Sequence, residues 1–217
     1  MYKNIMRRAL ESLALEDGAI GVAKEELEHV YYAQLKDLGE LTKAASVEKQ
    51  EQWSVKIPHV AGSNMLEGQL RVRKTEDAGN VSYVLTAKCP GKDGGRKEVE
   101  SESCEDMFTM FKFFSSQGMI KHRHRFPVEG SKLVWEVDVY LKADGSYHDW
   151  VKIDLEVSSL EDEVPALPVK IDEDTIVRSA RDKMTAEEKA KVTKLYDDVF
   201  LSKNAYLKDE APAAGEA

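Results

Sequence analysis

Lys121-His122-Arg123-His124-Arg125 places a cation at every second position, with an imidazole between each pair. Alternate side chains of an extended strand face opposite ways. Lys121, Arg123 and Arg125 therefore share one face, and the two histidines share the other. Four more stretches read the same way. Gln69-Leu70-Arg71-Val72-Arg73 and Thr86-Ala87-Lys88 are basic; Trp135-Glu136-Val137-Asp138-Val139 is acidic, and Lys152-Ile153-Asp154-Leu155-Glu156 is mainly so. An ordinary half-buried strand carries Thr, Ser and mixed charges on its polar face. Here whole strands are basic or acidic. On one shared concave face they would set many cations beside a carboxylate cluster, a combination that suits a polyphosphate with a divalent metal.

Around these stretches the period is two from Gln52 to Val157, broken by turn signals at Asp77-Ala78-Gly79-Asn80, Pro90-Gly91, Glu129-Gly130 and Ala143-Asp144-Gly145. One helix interrupts the run, with Ser103 as its expected N-cap and Phe108, Phe111 and Phe114 as its apolar stripe. Hairpins with one inserted helix fit an α+β fold, an antiparallel β-barrel with helices packed outside, better than βαβ units. Ahead of the strands the spacing of Met6, Leu10 and Leu13 predicts a helix. A second is expected from about Ile20 to Ala45, with Ala23, Leu27, Val30, Tyr31, Leu38 and Leu41 on one side. After the strands, Thr185-Ala186-Glu187-Glu188 forms a capping box for a last helix bearing Val192, Leu195, Tyr196, Val199 and Phe200. The expected organisation is a helical extension over 1–47, a barrel domain with its C-terminal helix over 48–208, and a disordered tail over 209–217.

The chain has 217 residues, 42% of them hydrophobic and 33% charged, with a net charge of −9. That length can bury a real core. The acidic balance argues against a duplex nucleic-acid binder, though it leaves room for a local basic cavity. No apolar run could span a bilayer and no signal peptide opens the chain, so no membrane partner is expected. Cys89 and Cys104 have no CxxC spacing and read as reduced thiols of a cytoplasmic protein.

The ordered set of strands resembles the CYTH superfamily, the triphosphate tunnel metalloenzymes, over roughly Gln52 to Arg178. The series runs R-x-R at Arg71 and Arg73, Thr-x-Lys at Thr86 and Lys88, and an acidic fourth strand at Glu98 and Glu100. K-x-R then follows at Lys121 and Arg123, E-x-D at Glu136 and Asp138, and a late acidic pair at Asp154 and Glu156. Each motif alone is common; the order carries the resemblance. It implies a cationic tunnel that binds a triphosphate-containing compound (inorganic, nucleoside or thiamine triphosphate) and hydrolyses it with Mg²⁺ or Mn²⁺. Lys56, Arg71, Arg73 and Lys88 would act on the phosphates, with Lys121, Arg123 and Arg125 completing the phosphate site. Glu136, Asp138, Asp154 and Glu156 would hold the metal. One departure stands out. The family's opening E-x-E-x-K aligns with Gln52-Trp53-Ser54-Val55-Lys56, which keeps the lysine and lacks both carboxylates, and neutral oxygens are poor Mg²⁺ ligands by comparison.

The alternative is a degenerate relative that binds or sequesters a nucleotide or polyphosphate without hydrolysing it. A blander one has the basic and acidic strands neutralising each other with no ligand. A third makes the N-terminal helices an interaction surface, including a homodimer through Leu27, Val30, Tyr31, Leu38 and Leu41. His122 and His124 should point away from the cations, and Trp53 and Trp135 belong to the core. Trp150 fits either core or a base-stacking position. Glu98, Glu100 and Glu102 either line the tunnel or face solvent.

Overall fold

The computed structural model describes residues 27–57, 68–90, 96–115, 117–159, 161, 163–179, 184–199 and 201–202. Ten strands and two α-helices organise them: β1 (Leu27–Gln34), β2 (Ser46–Ile57), β3 (Gly68–Asp77), β4 (Asn80–Pro90), β5 (Arg96–Glu102), α1 (Glu105–Phe114), β6 (Gln117–Pro127), β7 (Val134–Leu141), β8 (Tyr147–Val157), β9 (Val177–Ser179), α2 (Ala186–Val199) and β10 (Leu201–Ser202). All pairings between them are antiparallel. The order is β5-β4-β3-β2-β6-β7-β8-β1-β9, with β10 beside β6. This is an α+β protein built on one curved sheet. It departs from the expected closed barrel: the path ends at β5 and β9, and no pairing among the described residues joins those ends.

The largest correction is at the start. Leu27–Gln34 is a strand, not the middle of the helix expected from about Ile20 to Ala45, and Leu38–Lys43 is a short 3-10 helix capped by the Asp37 carboxylate, which accepts from the Gly39 amide at 2.7 Å. β1 lies between β8 and β9, inside the sheet. Val30, Tyr31 and Leu41, expected on a helical surface, are buried in the core. They are therefore packed within the chain, whereas Leu38 of the same expected face is 49% exposed. The expected helix over Met6 to Leu13 and the tail 209–217 lie outside the described residues.

Period-two alternation sorts the two faces. The outer face carries the main core, in which Val137, Val139, Val151, Ile153, Leu155 and Trp135 pack under the 3-10 segment and the stretch holding Val169 and Ile171. α1 covers β2 and β3, placing Phe108 and Phe111 on Trp53, Leu70 and Val72. Each such buried aromatic contributes on the order of 1.5–3 kcal/mol relative to exposure. Phe114, expected in the same stripe, is 62% exposed and stacks edge-on against Phe113 instead. The N-cap is Cys104 rather than Ser103. The capping box of α2 forms as expected, with the Glu188 amide donating to Thr185 Oγ1 at 3.2 Å and the Thr185 amide donating back to Glu188 Oε2 at 2.7 Å.

α2 is not outside the sheet. Val192, Leu195, Tyr196 and Val199 pack on Val30, Tyr32, Met119, Tyr140 and Trp150, which share the face of Asp154, Lys121 and Lys152 by strand register. The helix thus stops one end of the concave face, and Trp150 is part of that stopper. At the β3–β4 turn, Ala78 and Gly79 both have positive φ (46° and 86°), the geometry a two-residue hairpin requires. None of the helices among the described residues is long and apolar enough to cross a membrane.

Candidate functional site: a cavity lined by paired charges

The concave face encloses a cavity of about 890 Å³, within the range of small-molecule sites, roughly 300–1,000 Å³. Arg71 and Arg73 reach it from β3, Lys88 from β4, Lys121 and Arg123 from β6, Glu136 and Asp138 from β7, and Asp154 and Glu156 from β8. These nine side chains come together because each sits on the same parity of its strand. Two expected site residues do not join them. Lys56 is exposed near the end of β2, and Arg125 is held by Glu48 and Glu136. The lining groups without a place in the expected set include Glu28, Lys132 and Tyr196.

Cations do not dominate. Among the described residues, seven Lys or Arg and seven Asp or Glu line the cavity. On β6–β8 the pairing is tight. Asp138, fully buried, accepts from Arg123 Nε at 2.7 Å and Arg123 Nη2 at 2.8 Å, and also from Lys121. Burial alone would raise the Asp138 pKa, but Arg123 and Lys121 outweigh it and hold the carboxyl well below its usual range. Lys121 shares that carboxylate with the better-placed guanidinium, so burial and Arg123 pull its pKa down to about 7. Glu136 is engaged by Arg123 and by Arg125.

On β3–β5 the pairing is looser. Arg71 Nη2 lies 3.3 Å from Glu98 and 3.4 Å from Glu100, while Arg73 Nη2 lies 3.7 Å from Glu100. Glu98 also meets Lys88. The acidic fourth strand therefore lines the cavity at Glu98 and Glu100, whereas Glu102 is exposed. Burial and the adjacent Arg73 lower the pKa of Arg71. The Nε atoms of Arg71 and Arg73 are buried with no acceptor, and a buried donor left unsatisfied costs roughly 1–3 kcal/mol.

The third region is acidic. Asp154 donates nothing and accepts from Lys152 at one oxygen; its Oδ1 is buried without a partner. Burial, then the nearby Asp138, raises its pKa above the ordinary carboxylate value despite Lys152. Glu28 on β1 stands directly across the ladder from Glu156, and Val30 stands across from Asp154. Two carboxylates facing each other on adjacent strands repel unless a cation lies between them.

Gln52 lines the cavity too, but it and Ser54 lie apart from Asp154 and Glu156. They pair with Arg73 and Arg71 on β3, and β2 is separated from β8 by β6 and β7. The strand beside Asp154 and Glu156 is β1, which brings Glu28 to them. For a divalent cation the fit is uneven. Asp154, Glu28 and Glu156 are hard oxygen donors, Asp154 with one oxygen on Lys152, while Asp138 and Glu136 are held by arginine and lysine. Among the described residues no three ligating side chains converge as a ready-made metal cluster.

His122 and His124 face away from the cavity, as their alternation requires. His122 Nδ1 lies 2.7 Å from the Tyr147 hydroxyl, and His124 is buried. Trp53 and Trp135 are core residues, each 1% exposed.

The chain is similar in structure to the PH1819 protein of Pyrococcus horikoshii OT3, at 18% identity, covering 85% of this chain and 99% of that one, with a TM-score of 0.43. It is also similar to the PH1012 protein of the same organism, at 19% identity over 62% of this chain and 82% of that one, with a TM-score of 0.42. A likeness at these values says nothing about what the cavity holds. No family model matches the chain, and no curated protein matches it.

Proposed function

We propose that the cavity binds a triphosphate-containing compound (inorganic, nucleoside or thiamine triphosphate) and hydrolyses it with Mg²⁺ or Mn²⁺. The convergence of Arg71, Arg73, Lys88, Lys121 and Arg123 on one cavity, with the carboxylates of Glu28, Asp154 and Glu156 at its acidic side, carries this reading. The CYTH-like order of charged strands supports it. Phosphoryl transfer is mostly positioning and charge neutralisation, which arginine forks provide on non-bridging oxygens. One or two carboxylates of the acidic side (Glu28, Asp154 or Glu156), with oxygens of the phosphate compound, would hold the metal, which when bound would neutralise charge on the transferred phosphoryl group. Lys121 and Arg123, fixed by Asp138, would orient the phosphate chain. Phosphate release from tripolyphosphate, ATP and thiamine triphosphate, with either metal, tests the proposal. Turnover of at least one substrate is expected, with loss in Arg123→Gln. A folded protein that neither binds nor cleaves any of the three overturns it.

The second reading is binding without hydrolysis. The commitment of both Asp138 oxygens to cations favours it, because that removes a carboxylate from metal binding. Calorimetric binding of a triphosphate with no phosphate release would replace the first reading by this one.

A further inference from the structure

Glu100 lines the cavity beside both arginines of β3. Its Oε1 accepts from Thr86 Oγ1 at 2.9 Å and Arg71 Nη2 at 3.4 Å, and lies 3.7 Å from Arg73 Nη2. One oxygen thus faces two guanidinium groups at distances beyond a full-strength hydrogen bond to either. Both guanidinium groups remain under-satisfied, since the Nε atoms of Arg71 and Arg73 have no acceptor. The two glutamates of β5 also differ in freedom. The Glu98 side chain is 9% exposed and tied to Lys88 and Arg71, whereas that of Glu100 is 45% exposed on the terminal strand of the sheet. Glu100 can turn into solvent; Glu98 would have to take a buried charge with it.

We propose that Glu100 is a built-in competitor for the phosphate group that Arg71 and Arg73 hold, and that it rotates outward when a phosphate enters. The inference rests on the phosphate-binding reading above. It also sets the ligand's chemistry. A monoanionic carboxylate offers the two arginines no more than Glu100 already does. A dianionic terminal phosphate brings more charge and three acceptor oxygens, enough to serve both forks. The site therefore selects multiply charged phosphates over carboxylates, and Glu100 tunes the affinity.

Calorimetry with tripolyphosphate on the full chain tests this, at fixed pH and ionic strength. Glu100→Gln and Glu100→Ala should each bind about fivefold tighter than the natural protein. Glu76→Gln, which removes a negative charge from the half-buried Glu76 paired with Lys74 and Lys49 away from the cavity, should leave affinity unchanged. Equal or weaker binding by both Glu100 variants, with unaltered circular dichroism, overturns the proposal. Equal tightening in Glu76→Gln overturns it too, because net charge would then explain the gain. If the natural protein and every variant fail to bind tripolyphosphate, ATP and thiamine triphosphate, the phosphate-binding reading itself falls and takes this one with it.

Discussion

On β6–β8 the charges of the cavity are locked: Asp138 has no exposure and takes both nitrogens of an arginine fork at 2.7 and 2.8 Å. On β3–β5 Glu98 is buried against Lys88, but the arginines are loose, with arginine–glutamate separations of 3.3–3.7 Å and a Glu100 side chain nearly half in solvent. The residue types are the same in both regions, so sequence composition cannot tell them apart. Burial does. A buried pair whose partner is removed strands a charge in low dielectric, while an exposed pair gives up its partner to water at little cost. One region of the cavity is therefore structural and the other is available for exchange.

Removing the lock should have the largest effect. Asp138→Asn leaves Arg123 and Lys121 buried without their shared counter-charge, and should destabilise the fold by about 3–5 kcal/mol in urea titration. A loss below about 1 kcal/mol would erase the distinction between the two regions. The seam that joins them comes next. β2 and β6 meet at Trp53 and Gly118, where an added Cβ would lie 2.5 Å from the indole ring. Gly118→Ala should cost roughly 1–3 kcal/mol by overpacking, read as a lowered denaturation midpoint with an unchanged slope.

Arg73→Gln probes the loose region. Stability should change by no more than about 1 kcal/mol, while calorimetric affinity for tripolyphosphate drops. Charge reversal there should not stabilise the ligand-free protein. Mutual repulsion among the cations would favour reversal, but Lys88 and Arg73 already face glutamates. The smallest effect is in pH. Burial, the largest cause in each case, lowers the pKa values of His122, His124 and His148 from 6.5. Below that value the unfolded chain binds more protons than the folded one, so stability should fall as pH drops from about 6.5 to 5. His124→Leu should flatten that slope. Because His122 and His124 back β6 on its outer face, the effect should leave Arg71 and Arg73 untouched.

The strands from β3 to β8 are legible in the sequence because charge marks one parity and aliphatics the other. Arg71, Val72 and Arg73 announce their faces without help from tertiary context. β1 is not legible by the same rule. Leu27, Val30, Tyr31, Leu38 and Leu41 also satisfy a helical spacing, and the surrounding Glu, Lys and Ala are good helix formers. The run Val30-Tyr31-Tyr32 was the contrary signal, since β-branched and aromatic residues favour a pleated surface. Placing Glu28 beside Glu156 needs the long-range register, which no local pattern supplies. Pairing within the cavity was hidden for a related reason. Alternation shows that Arg71 and Glu98 share a face, but only strand order shows that β4 alone separates them.

The seat of β1 also has a bearing on how the molecule is made. Leu27–Gln34 is the earliest strand described, yet its neighbours begin at Tyr147 and Val177. During synthesis it must wait, with its backbone donors and acceptors unpaired, until most of the chain has emerged. Contacts so distant in sequence slow folding and leave an edge open to the wrong partner meanwhile. Glu28 travels with that strand, so the acidic side of the cavity is completed last. Pulse-labelled hydrogen exchange should find the β1–β8 amides protected after those of the β3–β4 hairpin. A nascent or truncated chain lacking β8 and β9 would carry the arginines of β3 with Glu98 and Glu100 but without Lys152, Asp154 and Glu156, and the cavity's full set of charges arrives only once β8 is made.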